Sequence, residues 1–488
     1  MTKAFTTRRK FIKSAATAAA ALGASRWTAK SWAQVAGSNE AVRIAVLGLH
    51  NRGLDHLGEI KKVPGFRLVG LCDPDQAVLD GHNIKNQKLP DVPKYQDLRK
   101  LLEDKNLDAV SIATPNHWHA LAAIWAIQAG KDVYVEKPVS HNISEGRRIV
   151  EFARKHERIV QAGTQMRSSI EGIKQAVEYV QSGKLGKIKV ARALNYKRRP
   201  SIGKVTEPQQ PPPTVDLDIW TGPAEKLPIM RKQFHYDWHW QWNTGDGDIG
   251  NQGIHEMDVA RWFLGATDIS PMVLTVGGRV GYVDDGQTPN SVVLMHDYPQ
   301  APMIFEVRGL PDKTDSKKMD AYKDVAIGVV VECEGGYVTV PNYSLAQVFD
   351  NDGKKITEFR GIESHFANFL TAIKSRKSED LHADILQGHI STALCHLGNI
   401  SYRVGQQTDP QSIAEQIKSD SALAESYHRM SEHLQANGLD LTQEKLTLGQ
   451  PLKFDAKTEM FIDGGSEEAN KYLTRTYREP FVVPASVS

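Results

Sequence analysis

Val42-Arg43-Ile44-Ala45-Val46-Leu47-Gly48-Leu49-His50-Asn51-Arg52-Gly53 is the stretch that decides the fold. Its first six residues carry the nearly continuous apolar pattern of a parallel strand buried on both faces, and Gly48 ends that strand where a helix must begin. Strand, glycine turn and helix in that order open a dinucleotide-binding βαβ unit. The usual second glycine is replaced by His50, so pyrophosphate contact is expected from Gly48 and Gly53, helped by the side chains of Asn51 and Arg52 at the helix N-terminus. Asp73, 20 residues after Gly53, ends the next strand, where a carboxylate takes both ribose hydroxyls of NAD and repels the 2′-phosphate of NADP. An ordinary turn at Gly48 and a plain helix cap at Asp73 are the alternatives.

Outward from this stretch, strands at Val42–Leu47, Arg67–Cys72, Ala109–Ala113, Asp132–Val135 and Ile159–Ala162 alternate with amphipathic segments near 53–62, 75–86, 97–103, 117–129 and 144–156. That alternation predicts a doubly wound parallel sheet, with Pro115 and Pro138 just past two strand ends, at the edge where ligands gather. After Gly163 the pattern changes. A helix near 170–182, a strand at Ile188–Tyr196, a proline-rich loop at 207–213, and apolar or alternating runs at 273–280, 291–295, 303–307, 325–333 and 337–340 predict an α/β domain on an open, mostly antiparallel sheet. Helices near 365–376, 384–403 and 412–436 precede an irregular tail. The expected plan is a leader at 1–33, a nucleotide domain at 40–163, a substrate domain at 164–408 and a C-terminal extension at 409–488.

The leader reading rests on Thr7-Arg8-Arg9-Lys10-Phe11-Ile12-Lys13, the short apolar run 14–24, and small residues flanking a cut near Ala33. These are the marks of twin-arginine export, and they predict a periplasmic or otherwise exported protein handled by the twin-arginine machinery. An exported dinucleotide protein cannot count on a soluble nucleotide pool, which implies a cofactor held tightly and recycled in place. Seven lysines and arginines and no acid lie in residues 1–33, so the formal charge of +2 becomes −5 without them. A mildly acidic body argues against nucleic acid, and no later apolar stretch is long enough to span a bilayer. Cys72, Cys333 and Cys395 sit in apolar patterns far apart and are expected to be buried free thiols, although an oxidising compartment permits one disulfide.

Four further segments carry chemistry. Thr114-Pro115-Asn116-His117-Trp118-His119 follows a strand and opens a helix that Asn116 is suited to cap. Its two histidines at i, i+2 do not share a helix face, which points to cofactor contact rather than to a metal. Glu136-Lys137-Pro138 ends another strand. A desolvated lysine there, which Pro138 could aim through a cis bond, has its proton affinity lowered toward neutrality and suits acid–base work; a surface salt-bridging lysine is the alternative. Helical spacing puts Asn251, His255 and Asp258 on one face, so His255 is a candidate for taking a hydroxyl proton with Asp258 orienting its ring; a capped helix with a core histidine is the competing reading, and the better one for this segment alone. Tyr236, Trp238 and Trp240, interleaved with polar residues, suit the apolar C–H faces of a sugar; a buried aromatic brace is the competing reading.

These motifs together resemble the Gfo/Idh/MocA oxidoreductases, the family of glucose–fructose oxidoreductase and inositol dehydrogenase. Gly163-Thr164-Gln165-Met166-Arg167-Ser168 and Trp220-Thr221-Gly222-Pro223 extend the likeness, which runs from about Val42 to Arg403. The resemblance implies catalytic roles for Lys137 and His255 and cofactor contacts from Glu136, Gln165 and Trp220. It also implies substrate contacts from Arg167, a homo-oligomer and a small carbohydrate or glycoside substrate. Many members carry aspartate where this chain has Asn251; an amide is no base, so Asn251 is expected to orient substrate. Three readings stay open: net oxidation of a sugar hydroxyl, redox-neutral glycoside hydrolysis through the same bound NAD, and non-catalytic sugar binding.

Overall fold

The computed structural model describes residues 41–487; the expected leader and its cleavage site lie outside them. The first unit is a six-stranded parallel sheet in the order β3-β2-β1-β4-β5-β6. Along the chain these are β1 (Val42–Leu47), helix α1 (Asn51–Lys62), β2 (Phe66–Cys72), β3 (Lys94–Tyr95), β4 (Ala109–Ile112), helix α2 (Asn116–Gln128), β5 (Asp132–Val135) and β6 (Val160–Ala162). Order reverses between β1 and β4, which leaves a crevice at their carboxyl ends. Register aligns those ends: Leu47 pairs with Cys72 and with Ile112, and Ile112 pairs with Val135. Gly48, Asp73, Ala113 and Glu136 therefore stand side by side along one sheet edge.

Two glycines make the first turn possible. Gly48 has φ +78°, and a Cβ on Gly53 would sit 1.8 Å from the Gly48 carbonyl oxygen. No side chain fits at 53 without parting α1 from β1.

The second unit is a twelve-stranded mixed sheet. Its central strand, Ile188–Tyr196, runs parallel to Pro302–Arg308 and antiparallel to Ile327–Cys333, and the remaining pairs are antiparallel. Three helices lie on its inner face: α3 (Gly247–Asn251), α4 (Gly253–Leu264) and α5 (Ile385–Arg403). Ile254, Met257 and Phe263 pack with Phe305, Val329 and Leu394 in one core. On the outer face Leu423, Tyr427, Met430 and Leu434 of the helix Ser421–Ala436 cover Val276, Val293 and Ile304. All three cysteines are buried and free, and no helix of the described residues is long and apolar enough to cross a membrane.

The structure corrects several expectations. The segment 75–86 splits into two short helices, the helix expected near 170–182 opens with a π turn at Ile170–Lys174, and 412–436 splits at Lys418. Strands Leu345–Phe349 and Lys355–Arg360, unforeseen, extend the large sheet. The tail is not irregular. Leu446–Leu448 and Leu452–Asp455 add to the sheet edge at Met272–Gly278, and the chain then returns to the first unit. There Phe481, 1% exposed, meets Trp118 at 5.6 Å and Trp125 at 6.1 Å between ring centroids. Burial of that ring contributes about 2–3 kcal/mol.

Candidate active site

A cleft of ≈ 1170 Å³ runs along the aligned strand ends. That volume includes space open to solvent, and both units contribute to its walls. Gly48, Asn51, Arg52, Asp73, Thr114, Asn116, His119, Glu136 and Lys137 line it from the first unit, and Trp220, Tyr236, Trp238, His239 and Asn251 from the second.

At the glycine turn Asp73 is buried, with Oδ2 accepting from Leu49 N at 2.9 Å and Oδ1 from Asp75 N at 3.0 Å. Burial pushes its carboxyl upward against these two donors. His50, in the place of the missing glycine, is exposed, and its ring lies 4.3 Å from that of His235. Its imidazole is thus drawn across the cleft instead of filling the turn. Thr114 lines the cleft, and its Oγ1 is buried without a hydrogen-bond partner. That orphan hydroxyl, the Gly48–Gly53 turn and the carboxylate at Asp73 fit an NAD-type dinucleotide.

A strap from the second unit closes over this end. Val215 bridges Asp75, Gln76 N donates to Thr214 O at 3.0 Å, and Asp216 N donates to Pro74 O at 2.9 Å. Thr214 Oγ1 donates to Asp75 Oδ1 at 2.6 Å, and His235 Nε2 lies 2.9 Å from Asp75 Oδ2. Burial would raise Asp75, but the bonds from Thr214, Ala77 and His235 outweigh it and hold the carboxyl below its usual range.

Glu136 organises the other end. Its Oε1 accepts from Arg52 Nε at 2.7 Å, His56 Nε2 at 3.0 Å and Gln165 Nε2 at 3.0 Å. Burial alone would raise Glu136; Arg52 and His56 win and keep it ionised. The neighbouring Lys137–Pro138 bond is cis, as the sequence suggested. Lys137 Nζ crosses to the second unit and donates to the backbone oxygen of Asn251 at 2.6 Å and toward its Oδ1 at 3.4 Å. Burial lowers the lysine's proton affinity, with Glu136 opposing and Arg52 assisting.

Asn251 offers that carbonyl because the expected single helix is broken. α3 ends at Asn251, Gln252 has φ −110° and ψ −46°, and α4 starts at Gly253, so His255 N bonds Gln252 O rather than Asn251 O. His255 lies one turn beyond, just outside the residues lining the cleft. Its Nδ1 is buried without a partner, and burial first, then Lys137, push the imidazole down to about 3. It is a neutral ring at physiological pH.

Several expected site residues have other partners. Asp258 does not orient His255; it forms a two-pronged ion pair with Arg167, Nε to Oδ2 and Nη2 to Oδ1 both at 2.8 Å, and accepts from Ser391 Oγ at 2.6 Å. Arg167 is thereby withdrawn from substrate. His117 is outside the cleft lining, its ring nitrogens 3.0 Å from Trp220 O and 3.3 Å from Thr244 O, where it joins the two units. His119 lines the cleft but places its nitrogens on Pro138 O and Thr114 O, bracing the loop that carries Lys137. Asn116 caps nothing, since Pro115 holds the cap position, and donates instead to Asp246 Oδ2 at 2.8 Å. Gln165 bonds Tyr134 OH as well as Glu136 and reaches the cleft only through that carboxylate. Trp240 stands behind the cleft, under the Arg199 guanidinium at 5.7 Å.

The sequence reading missed His56, Asp246 and Glu256. His56 follows Arg52 at i+4, so both meet Glu136 from one helix face, a spacing legible in the chain. Asp246, buried and pushed up to about 8 by burial, joins the units through Asn116. Glu256 is likewise buried and pushed up to about 8, with Oε2 unpartnered.

Residues 42–164 match the family model for the Gfo/Idh/MocA oxidoreductase family, NAD-binding Rossmann fold, and 166–433 match its C-terminal alpha/beta domain. The chain belongs to this family. A glycosyl hydrolase family 109 protein of Shewanella baltica is 31% identical over 172 residues, 31% of this chain and 38% of the relative. An alpha-N-acetylgalactosaminidase of Shewanella oneidensis is 34% identical over 130 residues, 25% of this chain and 28% of the relative. The chain thus matches well under half the length of these curated relatives. Among solved structures, the WlbA dehydrogenase of Bordetella pertussis with NADH and UDP-GlcNAcA has a TM-score of 0.53 at 19% identity, covering 73% of this chain and 94% of that one. Levoglucosan dehydrogenase with NADH and levoglucosan gives 0.55 at 17% identity, covering 74% and 96%. At such identities these likenesses establish the fold.

Proposed function

We propose that this chain is an exported NAD-dependent oxidoreductase acting on a hydroxyl of a sugar or glycoside, with its cofactor held tightly and recycled in the site. The observation that carries the reading is the 2.6 Å bond from Lys137 Nζ to Asn251 O. It brings the nucleotide unit's strand edge onto the helix break beside His255. The strap across Asp75 supports tight retention, because it ties the second unit to the strand end beside Asp73. Export rests on the twin-arginine motif alone.

Gly48, Asn51, Arg52 and Asp73 would hold the dinucleotide, with Thr114 Oγ1 and Trp220 along its length. When bound, the nicotinamide supplies a hydride acceptor. Lys137 does the proton work: desolvation lowers its affinity for the proton, and the two Asn251 oxygens fix its ammonium direction. In its amine form it removes the proton of a substrate hydroxyl. His255, neutral and lacking a partner at Nδ1, accepts or donates a hydrogen bond to the same hydroxyl, according to tautomer. Tyr236, exposed at the cleft, offers its ring to the sugar, whereas Trp238 is buried and stacked on His239 at 3.7 Å between centroids.

A second reading is favoured by the names of the curated relatives. In redox-neutral glycoside hydrolysis a bound nicotinamide would take hydride from a ring carbon and later return it, while the same side chains would move the protons of oxidation, elimination and hydration. One experiment separates the two: glycosides are added to the purified protein while absorbance near 340 nm is followed and products are chromatographed. A lasting nicotinamide band with a keto-sugar supports net oxidation, whereas free sugar with no net band supports hydrolysis. Protein that releases no dinucleotide on denaturation, after production and export in its own kind of cell, removes the recycled-cofactor reading.

A further inference from the structure

We propose that His239 is a substrate-binding residue, whose imidazole accepts a hydrogen bond from a second hydroxyl of the sugar, other than the one that Lys137 deprotonates. The inference rests on the carbohydrate reading above and deepens it, because it calls for a polyhydroxylated ring rather than a lone alcohol.

His239 is partly exposed and lines the cleft together with Tyr236, Lys137 and Asn251. Its Nδ1 lies 2.6 Å from the backbone oxygen of Tyr236. A carbonyl only accepts, so Nδ1 carries the proton, and Nε2 of the neutral ring is then a bare acceptor. No described residue bonds Nε2. Burial outweighs the Tyr236 bond and, joined by Lys137 and Arg199, pushes the imidazole down to about 4. The lone pair is therefore available at physiological pH.

The ring is also held still. Trp238 stacks on it at 3.7 Å between centroids and 19° between planes, and Trp240 lies 5.5 Å away. Trp238 is itself pinned, with Nε1 donating to His235 O at 3.1 Å and its carbonyl accepting from Thr244 Oγ1 at 3.0 Å. Gly245 packs against the same turn, where a Cβ would lie 2.5 Å from the carbonyl oxygens of both Trp238 and His239. An acceptor fixed in this way loses little freedom when a ligand arrives.

A bare acceptor selects a donor. The exposed ring of Tyr236 stands next to it, 5.1 Å from the imidazole between centroids. A ring face and an acceptor side by side match a sugar, which offers C–H bonds on its faces and hydroxyl protons on its rim. The carboxamide of a nicotinamide is the competing donor. However, the dinucleotide's phosphate and ribose seats, Gly48–Gly53 and Asp73, lie on the first unit. His239, Tyr236 and Asn251 share the wall of the second, where Lys137 crosses to it.

The wild-type holoprotein is offered the methyl glycosides of glucose, galactose and mannose, then every monodeoxy analogue of the one it accepts best. Turnover is read by product chromatography, which also identifies the reacting carbon, and binding by the shift in thermal unfolding. One deoxy position other than the reacting carbon should lower kcat/KM or apparent affinity at least about tenfold, because it strands the acceptor. His239→Phe keeps a ring for Trp238 to stack on but offers no acceptor. It should bring the parent glycoside to within about threefold of that deoxy analogue. His239→Gln, whose amide oxygen reaches the place of Nε2, should restore part of the preference, and both variants should keep their NAD. Three results overturn the inference and leave the carbohydrate reading standing: no discrimination among deoxy analogues by the wild type, a preference unchanged in H239F or lost alike in both variants, and NAD lost from both, which would seat the carboxamide on His239. Failure of the wild type to bind or turn over any glycoside counts against both readings.

Discussion

Replacing Arg167 by methionine tests whether this side chain serves the fold or the substrate. The guanidinium meets Asp258 through two 2.8 Å bonds, and the side chains are 9% and 1% exposed. Removing one partner of such a pair costs about 3–5 kcal/mol because a buried charge is left uncompensated. Asp258 keeps Ser391 Oγ at 2.6 Å and Arg261 at 3.5 Å, which places the expected loss near the low end, about 3 kcal/mol. For a unit whose sheet runs from Ile188 to Ile462 that lowers Tm by about 5 °C. The pH dependence has a definite sign. Burial would raise Asp258, but Arg167 leads the interactions that hold it below its usual value, so its contribution is present above the unfolded carboxylate range and is lost as pH falls through the lowered one. Without Arg167 the carboxyl rises and takes up its proton earlier. The Tm deficit of R167M should therefore be largest near neutrality and shrink toward pH 4. Arg167→Met with Asp258→Asn should be less destabilised than R167M alone. Differential scanning calorimetry across that pH range is the assay. An unchanged Tm with a raised KM would refute the reasoning and return Arg167 to the substrate.

His235→Ala removes one of the bonds that tie the second unit to Asp75 and should raise the rate at which bound NAD is lost on dialysis several-fold. Because Asp75 is held low, wild-type retention should also weaken only as pH drops below the usual carboxylate range; retention indifferent to both changes would deny the strap its role. Asn251→Asp sets a carboxylate where Oδ1 lies 3.4 Å from Lys137 Nζ. It should raise the lysine's proton affinity and move the limb of kcat/KM that requires the free amine to higher pH, without abolishing activity. An unmoved limb would mean that Lys137 is not the group titrating.

The nucleotide half was legible because its signals are local. The apolar run at Val42–Leu47, the glycines at 48 and 53 and the acid at 73 each act within one βα unit, and parallel register did the rest by aligning their strand ends. The break at Gln252 was not legible: Asn251, His255 and Asp258 keep helical spacing across it, and what shapes α4 is contact with the sheet, where a Cβ on Gly253 would lie 2.2 Å from Phe305. Arg167 and Asp258 are 91 residues apart, and a pair so distant leaves no periodicity to read. His117 was misplaced for a related reason, since its partners Trp220 O and Thr244 O come from the other unit. The tail hid its strands because edge segments of three or four residues fall below any repeat. Where a residue's neighbour is also its neighbour in sequence, the chain itself carries the chemistry; where units meet, only the fold does.

The central claim is that Lys137 takes the substrate's proton while His255, from the other unit, holds the same hydroxyl by a hydrogen bond. It is tested most directly by turnover and bound NAD measured on the same preparations of Lys137→Ala, His255→Ala and the double variant, with a glycoside that the wild type accepts. The account predicts near-normal cofactor content in all three and at least about a hundredfold loss of kcat in each single variant. The double variant should be little worse than the poorer single one, because the two groups act as one unit. Near-wild-type turnover in either single variant, with cofactor still bound, would contradict it.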